Sequence, residues 1–206
     1  MPANASQWDE RHRAAAQGTP PEPASIVREL IPLLPTGLAL DLACGTGRHA
    51  LLLASRQQPV VAVDWSSAAL GILAQHAKPL NLNVHTANNL EVAVAGAFRG
   101  IRLVLADIES AVLPAYSFSL ILCVQYLQRS LFRGIEQALR PGGVLLFETF
   151  TRAQLEFAGG PRNLLHLLNL GELRSSFPAL EVLFYRELRA GQGIASLVAR
   201  KPLKGR

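Results

Sequence analysis

Residues 38–54 constrain the chain more than any other stretch: Leu-Ala-Leu-Asp-Leu, then Ala-Cys-Gly-Thr-Gly, then Arg-His-Ala-Leu-Leu-Leu-Ala. The first five read as a short buried strand. Gly45 and Gly47 then admit a sharp turn and the close approach of a ligand that a Cβ would block. From Arg48 the pattern predicts a helix, whose free N–H groups and positive dipole end face the crevice beyond the strand's carboxyl end, where α/β sheets bind ligands. Asp41 lies four residues before the first glycine. A carboxylate there accepts from a ligand amine or attracts a cation, and it repels a phosphate.

A chain of 206 residues, half of them hydrophobic, has enough apolar surface for one domain with a full core. Its two cysteines, Cys44 and Cys123, fall at strand ends of that core, which suggests reduced thiols in a cytoplasmic protein. No zinc spacing occurs and no metal is expected. The first 25 residues hold no apolar secretory stretch, and no run of 18 apolar residues follows, so no membrane association is expected. The net charge of +5 would admit an anionic partner, but the basic residues are scattered singly. Only Arg200, Lys201, Lys204 and Arg206 cluster, without interleaved aromatics for base stacking, so nucleic acid is not the expected partner.

Strand and helix signals alternate along the chain, which predicts a parallel sheet. Residues 8–16 suit one or two helical turns, and the prolines at 20, 21 and 23 favour an extended segment. A helix over 25–34 is expected, with Ser25 as its cap, followed by strands at 38–42 and 59–64. Ser66 then caps a helix running to about Ala77. Further strands are predicted at 101–107, 118–124 and 144–148. A helix over 131–139 precedes the last of these and is stopped by Arg140-Pro-Gly-Gly143. Residues 78–100 exceed an ordinary connection. They hold either an extra helix over 88–98 or a strand at 83–86. The run 164–170 reads as helical. Strands at 180–188 and 194–201, joined by a short glycine-containing turn, must be antiparallel. The expectation is therefore a doubly wound, Rossmann-like α/β domain over residues 25–206. It has seven strands, helices on both faces and an antiparallel final hairpin, and residues 1–24 are a cap or flexible segment.

These motifs, in this order, resemble the class I S-adenosylmethionine-dependent methyltransferases. They are Asp41-Leu-Ala-Cys-Gly-Thr-Gly47, Asp64 closing the second strand, Ala106-Asp107-Ile108 closing the third, and Leu139-Arg-Pro-Gly-Gly143 before the fifth. The resemblance implies S-adenosylmethionine as cofactor. The backbone from Ala43 through Gly45 to Gly47 would lie against its methionine and ribose, with Asp41 near the methionine ammonium. Asp64 would bond the ribose hydroxyls and Asp107 the adenine amine, with Trp65, Ile108 and Val124 lining the cofactor. Residues placed to line the acceptor pocket are Gln125, Tyr126, Arg129, Glu148, Thr149 and Arg162, with Trp8 and His12 at the amino end.

The segment Gln7-Trp-Asp-Glu-Arg11 and the lack of a separate substrate domain further resemble the small tellurite-resistance-type branch. That implies a small acceptor such as a chalcogen oxyanion, a thiol-like group or another soft nucleophile; the expected state is a monomer or homodimer. Three other readings share some of these features. Gly45-Thr-Gly47-Arg-His-Ala50, with Asp64 seventeen residues past Gly47, also satisfies the loose dinucleotide-binding pattern, although Asp41 would then face a pyrophosphate. An RNA methyltransferase and a non-catalytic cofactor-binding relative are the others. Position 124–127 reads Val-Gln-Tyr-Leu, without the Asn-Pro-Pro-Tyr of enzymes that methylate amino groups of nucleic acid or protein glutamine.

Overall fold

The computed structural model describes residues 5–15 and 20–203. Lys204 and Arg206 of the basic tail lie outside the described residues, as does Ala16 of the first expected helix. The elements run α1 (Ala5–Ala15), α2 (Ser25–Leu30), β1 (Ala39–Leu42), α3 (Arg48–Ser55), β2 (Val60–Asp64), α4 (Ser67–Ala77), β3 (Val84–Ala87), α5 (Leu90–Val94), β4 (Ile101–Leu105), β5 (Phe118–Val124), α6 (Phe132–Ala138), β6 (Leu139–Phe150), α7 (Glu172–Ser175), β7 (Glu181–Arg189) and β8 (Gly193–Arg200).

They form one eight-stranded sheet of order β3-β4-β2-β1-β5-β6-β8-β7. All neighbours from β3 to β6 are parallel, and β8 pairs antiparallel with both β6 and β7. β1, β2 and β5 are buried at every position, as strands covered on both faces must be. Leu40, Leu42, Val61, Val63, Ile121 and Phe147 fill the core on one face. Ala39, Val60, Ala62, Leu120, Leu122 and Leu146 pack on the other, against α2, α3 and α4. Strand order reverses between β1 and β5, so a crevice opens there beyond the carboxyl ends.

The eighth strand corrects the expected seven. Residues 78–100 hold both the alternatives read from them, β3 and the short α5, and β3 adds to the sheet edge outside β4. Several boundaries also differ: the first helix begins at Ala5 rather than residue 8, and β4 ends at Leu105 rather than 107. The helix after residue 24 is α-helical only to Leu30 and tightens to a 3₁₀ turn over Ile31–Leu33, and Ser25 does not cap it. Pro32, which lacks an N–H, sits within that turn. β6 begins at Leu139 rather than 144, its register shifting around the Pro-Gly-Gly excursion. Only Leu164–His166 of the run at 164–170 is helical, as a single 3₁₀ turn, because Leu168 instead bridges to Thr151 and the exposed Leu170 has no face to bury.

Candidate cofactor and acceptor site

The cradle forms where β1 ends. Ala43, Gly45 and Gly47 adopt left-handed φ values of 55°, 54° and 81°. A Cβ on Gly47 would lie 2.2 Å from Leu73 Cγ, so the turn packs directly on α4 and glycine is required. Gly45 is held by its neighbour strand, its N–H donating to Asp64 Oδ2 at 2.8 Å. Asp64 Oδ1 accepts from Ser66 N at 2.9 Å, and Ser66 caps α4 by accepting from Ala69 N. Each Asp64 oxygen keeps a lone pair beyond these bonds.

Asp41 lies under the turn, 1% exposed, and its Oδ2 accepts from Ala50 N at 3.0 Å. Burial pushes its carboxyl up to about 7, opposed by the Ala50 bond and the Arg48 charge. His49 Nδ1 stands 3.9 Å from Asp41 Oδ1. This is not an ion pair, because burial and the adjacent Arg48 hold His49 down to about 3 and therefore neutral. Its Nε2 accepts from Ala24 N at 3.2 Å, which leaves the proton on Nδ1, facing Asp41. Cys44, between Ala43 and Gly45, is buried, and desolvation raises its thiol well above the ordinary range.

Asp107 follows β4, adjacent to β2, and is exposed; its oxygens accept from Glu109 N and Ser110 Oγ. Trp65 is half-buried, while Ile108 and Val124 are buried in the cores of opposite faces. The sheet thus brings Asp41, Ala43, Gly45, Asp64, Asp107 and Val124 to one end of adjacent strands. Burial, followed by the charge of Glu109, raises the Tyr126 hydroxyl, so this phenol stays protonated beside the acidic rim.

The other acceptor candidates fall into two groups. Gln125 and Glu148 stand together at the ends of β5 and β6: Gln125 N donates to Glu148 O at 2.7 Å, and Gln125 Oε1 accepts from Arg48 Nη2 at 2.9 Å. Thr149, next in β6, is buried on the opposite face. Arg129 and Arg162 are engaged elsewhere. Arg129 grips Glu172 through Nε (2.5 Å) and Nη2 (3.1 Å), and also bonds the carbonyls of Leu165 and Leu167. Arg162 bonds the carbonyls of Leu155 and Phe157 in its own loop.

Helix α1 crosses the mouth of the cradle. Asp9 accepts from Ser66 Oγ at 2.5 Å and from Ala68 N at 3.1 Å, and His12 Cε1 lies 3.4 Å from where a Gly45 Cβ would be. Trp8 stacks on His12. Asp9, Arg48 and His49 also stand at the cradle, beyond the residues that the sequence motifs point to. Position beside the glycine turn was the available signal for the last two.

A doubly wound sheet with a glycine turn and carboxylates at the reversal point, rather than a cationic phosphate cradle, defines a nucleoside-cofactor fold suited to a positively charged ligand. The chain belongs to the methyltransferase-domain family, whose model matches residues 40–147, just over half of the 206 residues. Its cofactor is S-adenosylmethionine, and the residues fit it: the buried Asp41 suits an ammonium or sulfonium, and Asp64 has acceptor capacity for hydroxyls. Similar solved structures include an echinomycin-biosynthesis protein that converts a disulfide bond into a thioacetal group (18% identity, 98% of this chain and 94% of that one, TM-score 0.69). TehB from Haemophilus influenzae is also similar (20%, 87% of this chain and 62% of that one, 0.68), as is an S-adenosylmethionine-dependent methyltransferase from Mesorhizobium loti (19%, 86% and 98%, 0.63). At these identities the likeness is one of fold. No curated protein matches the sequence. Among the described residues, no cluster of His, Cys, Asp or Glu is arranged to hold a metal, and no helix is long and apolar enough to cross a membrane.

Proposed function

We propose that this protein transfers the methyl group of S-adenosylmethionine to a small-molecule acceptor with a soft nucleophile, of the thiol-like or chalcogen oxyanion kind that the tellurite-resistance-type resemblance implies. The observation that carries the reading is the buried Asp41 beneath a glycine turn, with Asp64 ending β2 and Asp107 just past β4. That is a recognition set for a cationic amino-acid end, ribose hydroxyls and an adenine amine, and it disfavours the pyrophosphate of a dinucleotide. The sulfur chemistry named for the echinomycin-biosynthesis neighbour supports a soft acceptor.

The bound sulfonium supplies an activated methyl group. The chain's own task is then to hold an acceptor at attack distance and keep water out. Gln125, Tyr126 and Glu148 line the acceptor side, and α1, with Trp8 and His12, closes over it. Arg129 and Arg162 brace the covering segment. In this reading residues 1–24 are a cap on a domain of residues 25–206, and the protein works in the cytoplasm as a monomer or homodimer without nucleic acid.

The test is calorimetric titration with S-adenosylmethionine, followed by a screen of labelled methyl transfer to a metabolite extract. Binding that Asp64→Ala weakens about 100-fold, with label appearing in a small molecule, is the expected result; a change of that size corresponds to about 2.7 kcal/mol. Absent binding, or binding indifferent to Asp64→Ala, refutes it.

A further inference from the structure

A row of side chains, polar but for Val124, runs out from the cradle along the α3 face of the sheet. Asp41 aligns with Leu122, and Val124, two residues on, shares that face. Val124 aligns with Glu148, Glu148 with Ser196 of β8, and Ser196 with Arg186 of β7. Aligned residues on adjacent strands share a face, so these four form one row.

Its outer half is wired unusually. Ser196 Oγ donates to Glu148 Oε2 at 2.5 Å, and both residues are buried, at 0% and 7% exposure. Arg186 Nε reaches Ser196 Oγ at only 3.4 Å, and its Nη2 stops 3.9 Å from Glu148 Oε2, too far for a hydrogen bond. Other arginine pairs of the same hairpin are closed: Arg189–Glu156 at 2.5 Å and Arg200–Glu181 at 2.7 Å. Those pairs are more exposed, so a purely structural Arg186–Glu148 bridge would have the greater reason to close. Instead the Ser196 hydroxyl occupies the carboxylate. Among the described residues Arg186 makes no other hydrogen bond, leaving donors of its guanidinium fork unused. Arg48, on the cradle side, spends its guanidinium on Gln125 Oε1 and the Glu22 carbonyl rather than on Glu148.

We propose that Arg186 binds a carboxylate at the far end of an organic methyl acceptor, with Ser196 and Glu148 as positioning residues that hold its fork open. The proposal rests on the methyltransferase reading and narrows its acceptor. Strands lie about 4.8 Å apart, and the guanidinium lies between β6 and β8, so it is about 7–12 Å from the reversal between β1 and β5. An inorganic oxyanion cannot span that distance, whereas an organic molecule of five to eight bonds, about 1.5 Å each, can.

The experiment titrates the uniformly ¹⁵N-labelled full chain with hexanoate, hexanamide and sodium selenite. It follows the arginine Nε–Hε resonances, with the Arg186 signal assigned by its loss in Arg186→Lys. Hexanoate should shift that signal and bind at least tenfold tighter than hexanamide. Arg186→Met should abolish the preference, and Arg186→Lys, which keeps charge and stem, should retain part of it and serves if the methionine variant does not fold. Ser196→Ala lets Arg186 close on Glu148 and should weaken hexanoate at least fivefold. Calorimetric S-adenosylmethionine affinity should stay within twofold in all three variants. Hexanoate and hexanamide behaving alike, no shift with either, or selenite binding as tightly as hexanoate overturns the proposal. Absence of S-adenosylmethionine binding to the parent overturns the methyltransferase reading instead and leaves the Arg186 titration readable.

Discussion

Asp41→Asn should stabilise the ligand-free protein at neutral pH while weakening cofactor binding. Burial raises the Asp41 carboxyl from 3.8 to about 7, the Ala50 N–H and Arg48 offsetting only part of the desolvation. The unfolded chain releases this proton near 3.8, and the folded chain holds it until about 7. Stability linked to Asp41 is therefore complete below about pH 4, falls by about 1.4 kcal/mol per pH unit as pH rises, and levels off above about pH 7. The accumulated loss is about 4 kcal/mol. Asparagine matches the shape, still accepts from Ala50 N and carries no charge; the weaker bond costs about 1 kcal/mol. Urea unfolding followed by circular dichroism should find Asp41→Asn about 3 kcal/mol more stable than the parent at pH 8, and within about 1 kcal/mol of it at pH 4. S-adenosylmethionine, whose positive charge favours the ionised carboxylate, should bind the variant at least about tenfold more weakly, and should bind the parent more weakly as pH falls below about 7. A variant less stable than the parent at pH 8, or a stability difference that does not change between pH 4 and 8, refutes the reasoning.

Gly47→Ala places a Cβ 2.2 Å from Leu73 Cγ at a φ of 81°. It should cost about 3 kcal/mol in urea unfolding, part of it recovered by Leu73→Ala in the same chain; a loss under about 1 kcal/mol contradicts the packing argument. Arg129→Met removes the fork on Glu172 and the bonds to the Leu165 and Leu167 carbonyls. About 2 kcal/mol of local stability should go, seen as faster hydrogen exchange at the Leu167 and Leu168 amides. Glu172, whose carboxyl Arg129 holds below its usual range, should titrate higher in that variant by NMR. Asp9→Asn weakens the hold of α1 on Ser66 and Ala68. Its amides should exchange faster while the melting temperature stays within about 1 °C, and unchanged exchange would show that α1 is held by other contacts.

The parallel strands were legible because β1, β2, β4 and β5 are short apolar runs bounded by turn residues, and Ser66 declared its helix through a hydroxyl that a cap requires. β3 was ambiguous for a physical reason. It is an edge strand with only Ala87 buried, so nothing in Val-His-Thr-Ala demands a strand until β4 offers its backbone. The run at 164–170 failed in the opposite way: Leu164, Leu165 and Leu170 are exposed and only Leu167 and Leu168 are buried, and the segment is held by Arg129 through backbone carbonyls. Carboxylates at strand ends announced the cofactor side. Of the cluster of Glu148, Ser196 and Arg186 only Glu148 was legible, because antiparallel register brings together residues far apart in sequence.

Backbone strain explains why the crevice stays open at the reversal. Ala43 and Gln125, the residues directly after β1 and β5, both carry side chains in the left-handed region, at 55° and 60°. Each costs about 1–2 kcal/mol relative to ordinary backbone, and such residues persist only where their surroundings over-determine them. Here Cys44 N bonds Val63 O at 3.0 Å and Gln125 N bonds Glu148 O at 2.7 Å, so each turn is tied to the neighbouring strand at its exit. The two segments are thereby bent out of the sheet within one residue of the same level, and a crevice opens between them. Glycine at 125 would relieve the strain but would remove the amide that accepts from Arg48, leaving that guanidinium its 3.4 Å bond to the Glu22 carbonyl. Gln125, together with the Glu22 carbonyl, therefore fixes the Arg48 guanidinium beside the crevice.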